Sequence, residues 1–242
     1  MIKDNVFKIK ERISKICSQT NRDQRDIVIV AVAKGRALDN IKEVLAAGIT
    51  DIGENKVQEA ILKYSGLTPL PAARLPDGQG QAGSTYNLAP IKWHMVGHLQ
   101  TNKVKDAVRI FDLIQSVDSL RLAQAIDKEA GRINKVQEIL LEVKTSPEAT
   151  KFGIDPQQLL RIAAEISVLK NIKINGLMTV APLAAKPEDA RPYFKLLHEL
   201  YDKLSVLGSR LSVISMGMTD DFEVAIEEGA NMLRLGRAIF EC

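Results

Sequence analysis

Residues 27–53 read IVIVAVAKGRALDNIKEVLAAGITDIG, and this stretch decides the fold. Its first seven residues are apolar and rich in Val and Ile, as a parallel strand requires when helices cover both of its faces. The run ends at Lys34. Leu38, Ile41, Val44 and Leu45 then share one face of a helix, and Gly48 stands where a helix C′ residue belongs. A second short strand follows at 50–53, completing a βαβ unit.

The alternation continues outward. Apolar runs at 91–96, 112–115, 137–143, 172–177, 211–214 and 232–235 bring the expected strands to eight, the number of a (β/α)8 TIM barrel. Between them the spacing predicts helices such as 156–169, opened by Asp155 as N-cap and Pro156 as N1. Another is predicted over 188–204, with Tyr193, Leu197, Leu200 and Leu204 at core spacing. An open doubly wound sheet would also satisfy this α/β pattern, but closure leaves no exposed edge. A chain of 242 residues, 45% hydrophobic, suits one such domain.

Composition narrows the partners. With 33 Lys and Arg against 30 Asp and Glu, the net charge of +3 is too small to favour nucleic acid or an acidic membrane. Cys17 and Cys242 have neither disulfide nor zinc spacing. The opening MIKDNVFKIKERISKI lacks an apolar signal core, and no later run reaches membrane-spanning length, so a cytoplasmic protein is expected. The Pro/Gly-rich stretch at about 66–90 reads as a long mobile loop. Its G-x-G-x-x-G at 78–83 neither follows a strand nor opens a helix, so it is not a nucleotide fingerprint.

In a (β/α)8 barrel the functional groups gather where strands end in βα loops. That rule collects Lys34, Glu54 and Asn55, His94 to His98, Thr179 to Pro182, Ser215 to Thr219, and Arg234 with Gly236. A lysine after a fully apolar strand is expected to be partly desolvated, which favours the neutral amine that attacks an aldehyde. The alternative is a rim lysine that reaches into water. The segment Ser215-Met216-Gly217-Met218-Thr219 turns into a helix near 220–223, and strand 8 runs through Gly236 and Arg237 into another. Those two loops are the usual phosphate cradle of this architecture, and an N-cap role for Thr219 or Asp220 is compatible with it. An amine opposite a phosphate cradle points to a phosphorylated aldehyde, of which pyridoxal 5′-phosphate is the foremost case. His94 and His98 lack the H-E-x-x-H glutamate and a third ligand, so no metal is expected. His94 is expected to pack or hydrogen-bond near the cofactor and His98 to belong to the following loop. Lys151, in ATKFGI, either reaches the cofactor or is solvated, and Trp93 is assigned to the core.

The segments VAVAKGRALDNIKEVLAAGITDIGENKVQEA, WHMVGHLQTNKVK, ATKFGI, INGLMTVAP and SMGMTDDFEVAIEEGANMLRLGRAIF resemble the pyridoxal phosphate homeostasis protein family. The likeness runs from about residue 5 to the end, apart from 66–90. It implies an alanine-racemase-like barrel without the second β-domain, which binds pyridoxal 5′-phosphate and has no established turnover. By motif, Lys34 forms the Schiff base, Asn55 lines the ring pocket and Arg234 lies near the pyridine nitrogen. Thr219 and the backbone at Gly236 correspond to the family's phosphate cradle, and Ser215, Met218 and His94 are counted among the cofactor-binding residues. Two positions depart from the family: Thr219 replaces its usual serine and keeps the hydroxyl, while Arg237 replaces its usual threonine and removes one. A cation beside the ring nitrogen disfavours the pyridinium and makes the cofactor a weaker electron sink. The implied role is buffering or delivery of the cofactor to apo-enzymes, by a monomer or weak dimer with no catalytic residues. Two enzymatic readings share these features. A racemase needs a second acid/base, a tyrosine supplied in that class by a β-domain, whereas this sequence ends at Cys242; a Schiff-base aldolase would need no cofactor.

Overall fold

Parallel strands buried on both faces lose their edges when the sheet closes on itself, and this chain does so. The structure is a computed structural model that describes residues 1–67, 90–146, 152–183, 185–206 and 211–241. Strands β1 (Val28–Val32), β2 (Asp51–Glu54), β3 (Lys92–Met95), β4 (Leu113–Val117), β5 (Gln137–Glu142), β6 (Ile172–Met178), β7 (Val213–Ser215) and β8 (Met232–Leu235) form a closed barrel in chain order. The seam pairs β8 with β1 in parallel, Met232 opposite Val28 and Arg234 opposite Val30. The expected (β/α)8 barrel is the architecture found.

Outside the strands lie α1 (Ile2–Gln19), α2 (Leu38–Ala46), α3 (Val57–Leu67), α4 (Val104–Ile110), α5 (Leu120–Arg132), α6 (Leu159–Ser167), α7 (Arg191–Val206), α8 (Phe222–Glu227) and α9 (Arg237–Phe240). The four-residue α9 is too short to cover the seam. The N-terminal α1 does so instead, burying Ile2, Val6, Ile9, Ile13 and Cys17 and packing against α2, α8 and α9. Asn5 fastens its start by donating to the carbonyls of Ile239 and Glu241, both at 3.1 Å.

The two-residue period of each strand sorts the interior into two compartments. Ala31, Ile52, Ile139 and Leu233 point outward and join the core between sheet and helices. Val30, Leu113, Leu140, Met178 and Met232 point inward and form a separate apolar cluster within the barrel. Trp93 is 1% exposed and tilts against Tyr64, with ring centroids 5.9 Å apart, as a core residue should.

Three local expectations are corrected. The helix predicted from 156 begins at Leu159, because the Asp155 carboxylate accepts the amide of Gln157 at 2.8 Å and so closes a turn ahead of the helix. The segment over 188–204 divides into a 3-10 turn, Pro187–Ala190, and α7, in which Tyr193 packs against the core partly buried and its neighbour Phe194 is fully buried. Glu54 belongs to β2 and, on the outward parity of Ile52, faces α3 rather than the barrel mouth. Most of the 66–90 stretch, with the 78–83 glycine motif, and Lys151 and Cys242 lie outside the described residues. Among the described residues no helix is long and apolar enough to cross a membrane.

Closure depends on a close approach between β6 and β7. A Cβ on Gly176 would lie 1.8 Å from the carbonyl oxygen of Val213. Gly176→Ala is therefore expected to destabilise the fold by about 3 kcal/mol through overpacking against rigid backbone. Urea unfolding of the two proteins checks this; an unchanged midpoint would show that the strands part without cost.

Candidate functional site

The mouth of the barrel is built from strand ends, beginning with Lys34. β1 stops at Val32, and Ala33 starts a tight turn in which its carbonyl accepts the Arg36 amide at 3.0 Å. Gly35, the third residue of that turn, has φ +67°, a conformation glycine adopts without steric penalty. The turn lifts Lys34 clear of the apolar strand. The expected desolvation is thus corrected: Lys34 is exposed, because the turn separates it from the buried run that precedes it.

β8 and β2 are the hydrogen-bonded neighbours of β1, and each brings a polar group to the same side. From β8 comes Arg234, which is 4% exposed. At the exit of β2 stands Asn55, half-buried, whose Oδ1 has no hydrogen-bond donor among the described residues. The chain leaving β3 presses on it, for a Cβ on Gly97 would meet the Asn55 carbonyl at 2.5 Å. Asn55 is held in place while its amide oxygen remains free to accept.

A continuous polar chain crosses the barrel interior from Arg234. Its NH2 donates to the Thr179 carbonyl at 2.6 Å, and its NH1 donates to Ser215 Oγ at 2.7 Å. Ser215 donates onward to Gln115 Oε1 at 2.6 Å. The Gln115 amide must then turn its Nε2 toward His94 Nδ1, 3.0 Å away, so this ring nitrogen accepts and the proton sits on Nε2. His94 Nε2 faces Asp51 Oδ1 at 3.0 Å. Burial works against the charge on Asp51, but the His94 hydrogen bond prevails and holds its carboxyl below the usual range. His94 is 2% exposed and two hydrogen bonds removed from Ser215's contact with Arg234, so it enters the site as the far support of this chain.

Electrostatics at the mouth are governed by burial. Desolvation lowers the Arg234 pKa to about 10, with the charges of Glu142 and Asp221 opposing the shift. Glu142, the last residue of β5, is raised to about 7, first by burial and then by the charge of Asp118, with Arg234 acting the other way. It lines a cavity of about 210 Å³ with Lys144, Thr145, Ser146, Phe152 and Val180. Thr145 and Thr179 join their hydroxyls at 2.9 Å beside it.

The loops after β7 and β8 meet as expected. Gly217 (φ +90°) admits only glycine, because a Cβ there would lie 2.6 Å from that of Ala225. The Met218 amide donates to Asp221 Oδ1 at 2.6 Å, and Met218 itself is exposed at the rim. Thr219 Oγ1 accepts the amide of Ala238 at 3.2 Å, which ties the two loops together and leaves its hydroxyl hydrogen available to an anion. Gly236 caps α9, whose first amides have no intrahelical acceptor. Arg237 is exposed and paired with Asp220 across these loops. His98 lies in the loop after β3, stacked on Phe152 at 3.7 Å and facing Asp118 at 3.2 Å. Among the described residues no group of three or more His, Cys, Asp or Glu could hold a metal ion.

Lys34, Asn55 and Arg234 therefore share the β8–β1–β2 side, with Ser215 of β7 bonded to Arg234 in the interior, while Met218, Thr219 and Gly236 share the β7–β8 loops. Sequence reading passed over Gln115 and Glu142. Each was marked only by being a polar residue within an apolar strand.

Comparison with known proteins shows what the chain as a whole is similar to. Residues 5–242 match the family described as alanine racemase, N-terminal domain. A pyridoxal phosphate homeostasis protein of Aquifex aeolicus is 37% identical over 98% of this chain and 96% of its own, and one of Synechocystis is 36% identical over 88% and 89%. The structure of PipY from Synechococcus elongatus with PLP bound has a TM-score of 0.77 at 35% identity, covering 96% of this chain and 99% of that one. Alanine racemase of Clostridium difficile shares the fold, with a TM-score of 0.74 at 17% identity over 98% of this chain and 59% of that one.

Glu142 offers a direct test of the mouth's electrostatics. An unfolded glutamate carries the ordinary value of 4.5, and the folded one stands at about 7. Between those values the folded state keeps a proton that the unfolded state has lost, so this group's contribution falls as pH rises through the window and is constant above it. Glu142→Gln mimics the protonated acid. It is expected to stabilise the protein by about 1–2 kcal/mol at pH 8 and to change little at pH 5. Chemical unfolding at both pH values checks this, and an equal effect at both would contradict it.

Proposed function

Since the chain belongs to the alanine racemase N-terminal-domain family, and within it to the pyridoxal phosphate homeostasis proteins, we propose that it binds pyridoxal 5′-phosphate and buffers or delivers it inside the cell. The observation that carries this reading is the convergence on three neighbouring strands of an exposed amine, Lys34, a buried guanidinium, Arg234, and an amide oxygen, that of Asn55, without a donor among the described residues. The PLP-bound relative supports it with the same barrel at 35% identity.

The residues fit the cofactor in kind. Lys34 is the amine that would form the Schiff base. Asn55 Oδ1 lacks a donor among the described residues, and a buried acceptor left so costs free energy until a ligand supplies one. Thr219 and the amides at Gly236 and Arg237 offer donors to a phosphate, while Arg237 would first have to leave Asp220. When bound, the cofactor supplies an electrophilic aldehyde carbon and a ring that can take up electron density. Arg234 keeps its proton at neutral pH and would face the ring nitrogen as a donor, which withholds a proton from that nitrogen. This arrangement suits holding and release better than carbanion chemistry. Delivery to apo-enzymes follows as the second half of the proposal.

Borohydride reduction of the protein after addition of pyridoxal 5′-phosphate, followed by peptide mapping, tests the assignment. A stable adduct on the Lys34 peptide is expected. Lys34→Ala should lose the adduct yet retain weakened binding, because Thr219, Gly236 and Arg234 are untouched. No adduct at Lys34 in the folded wild type would overturn the reading.

A further inference from the structure

The turn that presents Lys34 is gripped from outside the barrel. Lys63 Nζ donates to the Ala33 carbonyl at 2.7 Å, and the Gly35 amide donates to Glu59 Oε2 at 3.1 Å. The peptide groups on either side of Lys34 are thus both tied to α3. Glu59 and Lys63 stand four residues apart on one face of that helix, 3.9 Å from one another.

The grip contains an expensive component. Lys63 is 8% exposed and its ammonium meets Glu54 Oε1 at 2.6 Å, Glu54 being fully buried. Burial raises the Glu54 pKa, with Lys63 opposing, and the second carboxylate oxygen of Glu54 has no partner among the described residues. Burying both charges costs several kcal/mol of desolvation per ion, and an apolar pair of similar volume often serves stability as well. The pair is therefore poorly explained by stability alone. What an apolar pair cannot do is hold a donor against the Ala33 carbonyl. Gly35 adds to the argument: with φ +67° its turn is sharp, and a Cβ there would touch nothing within 4 Å, so the neighbouring side chains do not wedge it in place. Hydrogen bonds set the turn's orientation.

We propose that Glu54, Lys63 and Glu59 are positioning residues, which fix the backbone on both sides of Lys34 so that its amine meets the cofactor's aldehyde at the barrel mouth. The inference rests on the cofactor reading above. It assigns these three side chains to the covalent linkage and not to noncovalent affinity, since none of them reaches the phosphate loops.

The experiment uses the full chain. Glu59→Ala, Glu59→Gln, Lys63→Met and the wild type are mixed with pyridoxal 5′-phosphate, and the borohydride-trapped adduct at Lys34 is quantified against time. Affinity for pyridoxine 5′-phosphate, which lacks the aldehyde, is measured in parallel, with circular dichroism to confirm folding. Glu59→Ala and Lys63→Met should slow adduct formation about tenfold, as a displaced reacting group does. Both should bind pyridoxine 5′-phosphate as the wild type does, and Glu59→Gln, which keeps an acceptor oxygen, should restore much of the rate. Glu59 is half-buried at the helix surface, so its variants fold even if Lys63→Met, which strands a buried carboxylate, does not. Wild-type trapping rates in Glu59→Ala, or a parallel loss of pyridoxine 5′-phosphate affinity, would overturn the positioning role alone. Absence of any Lys34 adduct in the wild type would overturn it together with the cofactor reading.

Discussion

A guanidinium buried inside a barrel cannot be left without partners, and much of this interior is arranged around that constraint. Arg234 has only donors, so whatever meets it must accept. Ser215 and the Thr179 carbonyl do so, and Ser215, having accepted, must pass its own hydrogen onward. Gln115, His94 and Asp51 follow in a fixed sense, each orientation dictated by the one before. The chain ends on a carboxylate that is still partly in contact with water. Five strands, β2, β3, β4, β7 and β8, are joined through it across the lumen. Around this spine Val30, Leu113, Leu140, Met178 and Met232 form an apolar cluster that encloses the buried part of the polar chain.

The second organising pair lies on the other side of the sheet. Lys63 and Glu54 pair in the layer between β2 and α3, buried beside the apolar core. Their effect passes through the sheet by way of the Ala33 carbonyl. The rim lysine is thus governed from the helix layer and the deep arginine from the lumen. The two groups that would meet a ligand's opposite features are supported independently. The 4-residue spacing of Glu59 and Lys63 makes this economical, since one helical face supplies both contacts.

The fold was largely legible in the chain because closure imposes one local rule. Strands covered on both faces are largely apolar: the run 27–33 is so throughout and 232–235 is so but for Arg234, and in the structure they become β1 and β8 at the seam. Where expectation failed, a local polar contact outweighed the pattern. Asp155 spent its carboxylate on the Gln157 amide and delayed α6 by three residues. Tyr193 and Phe194 are adjacent and both meet the core, and spacing could not say which would be the fully buried one until α7 was placed against β6 and β7. Lys34 was expected to be desolvated by its apolar strand, but one turn with a left-handed Gly35 was enough to expose it.

The amino-acid sequence by itself determined the alternation of elements and which residues stand at strand ends, because both follow from periodicity along the chain; it favoured a closed barrel over an open sheet, and the structure decided for closure. It also carried the motifs of the family to which the chain belongs. Only the tertiary structure decided what those residues do to one another. Asp51, His94, Gln115, Ser215 and Arg234 come from separate strands, and no spacing along the chain relates them until the barrel wraps and turns alternate side chains inward. Likewise Glu54 sits one residue from Asn55, yet the two-residue period sends it to the opposite face of the sheet, to Lys63 instead of the mouth. Periodicity along a strand is local, whereas the pairing of buried charges depends on which strands close together, and that is fixed only when the sheet is complete.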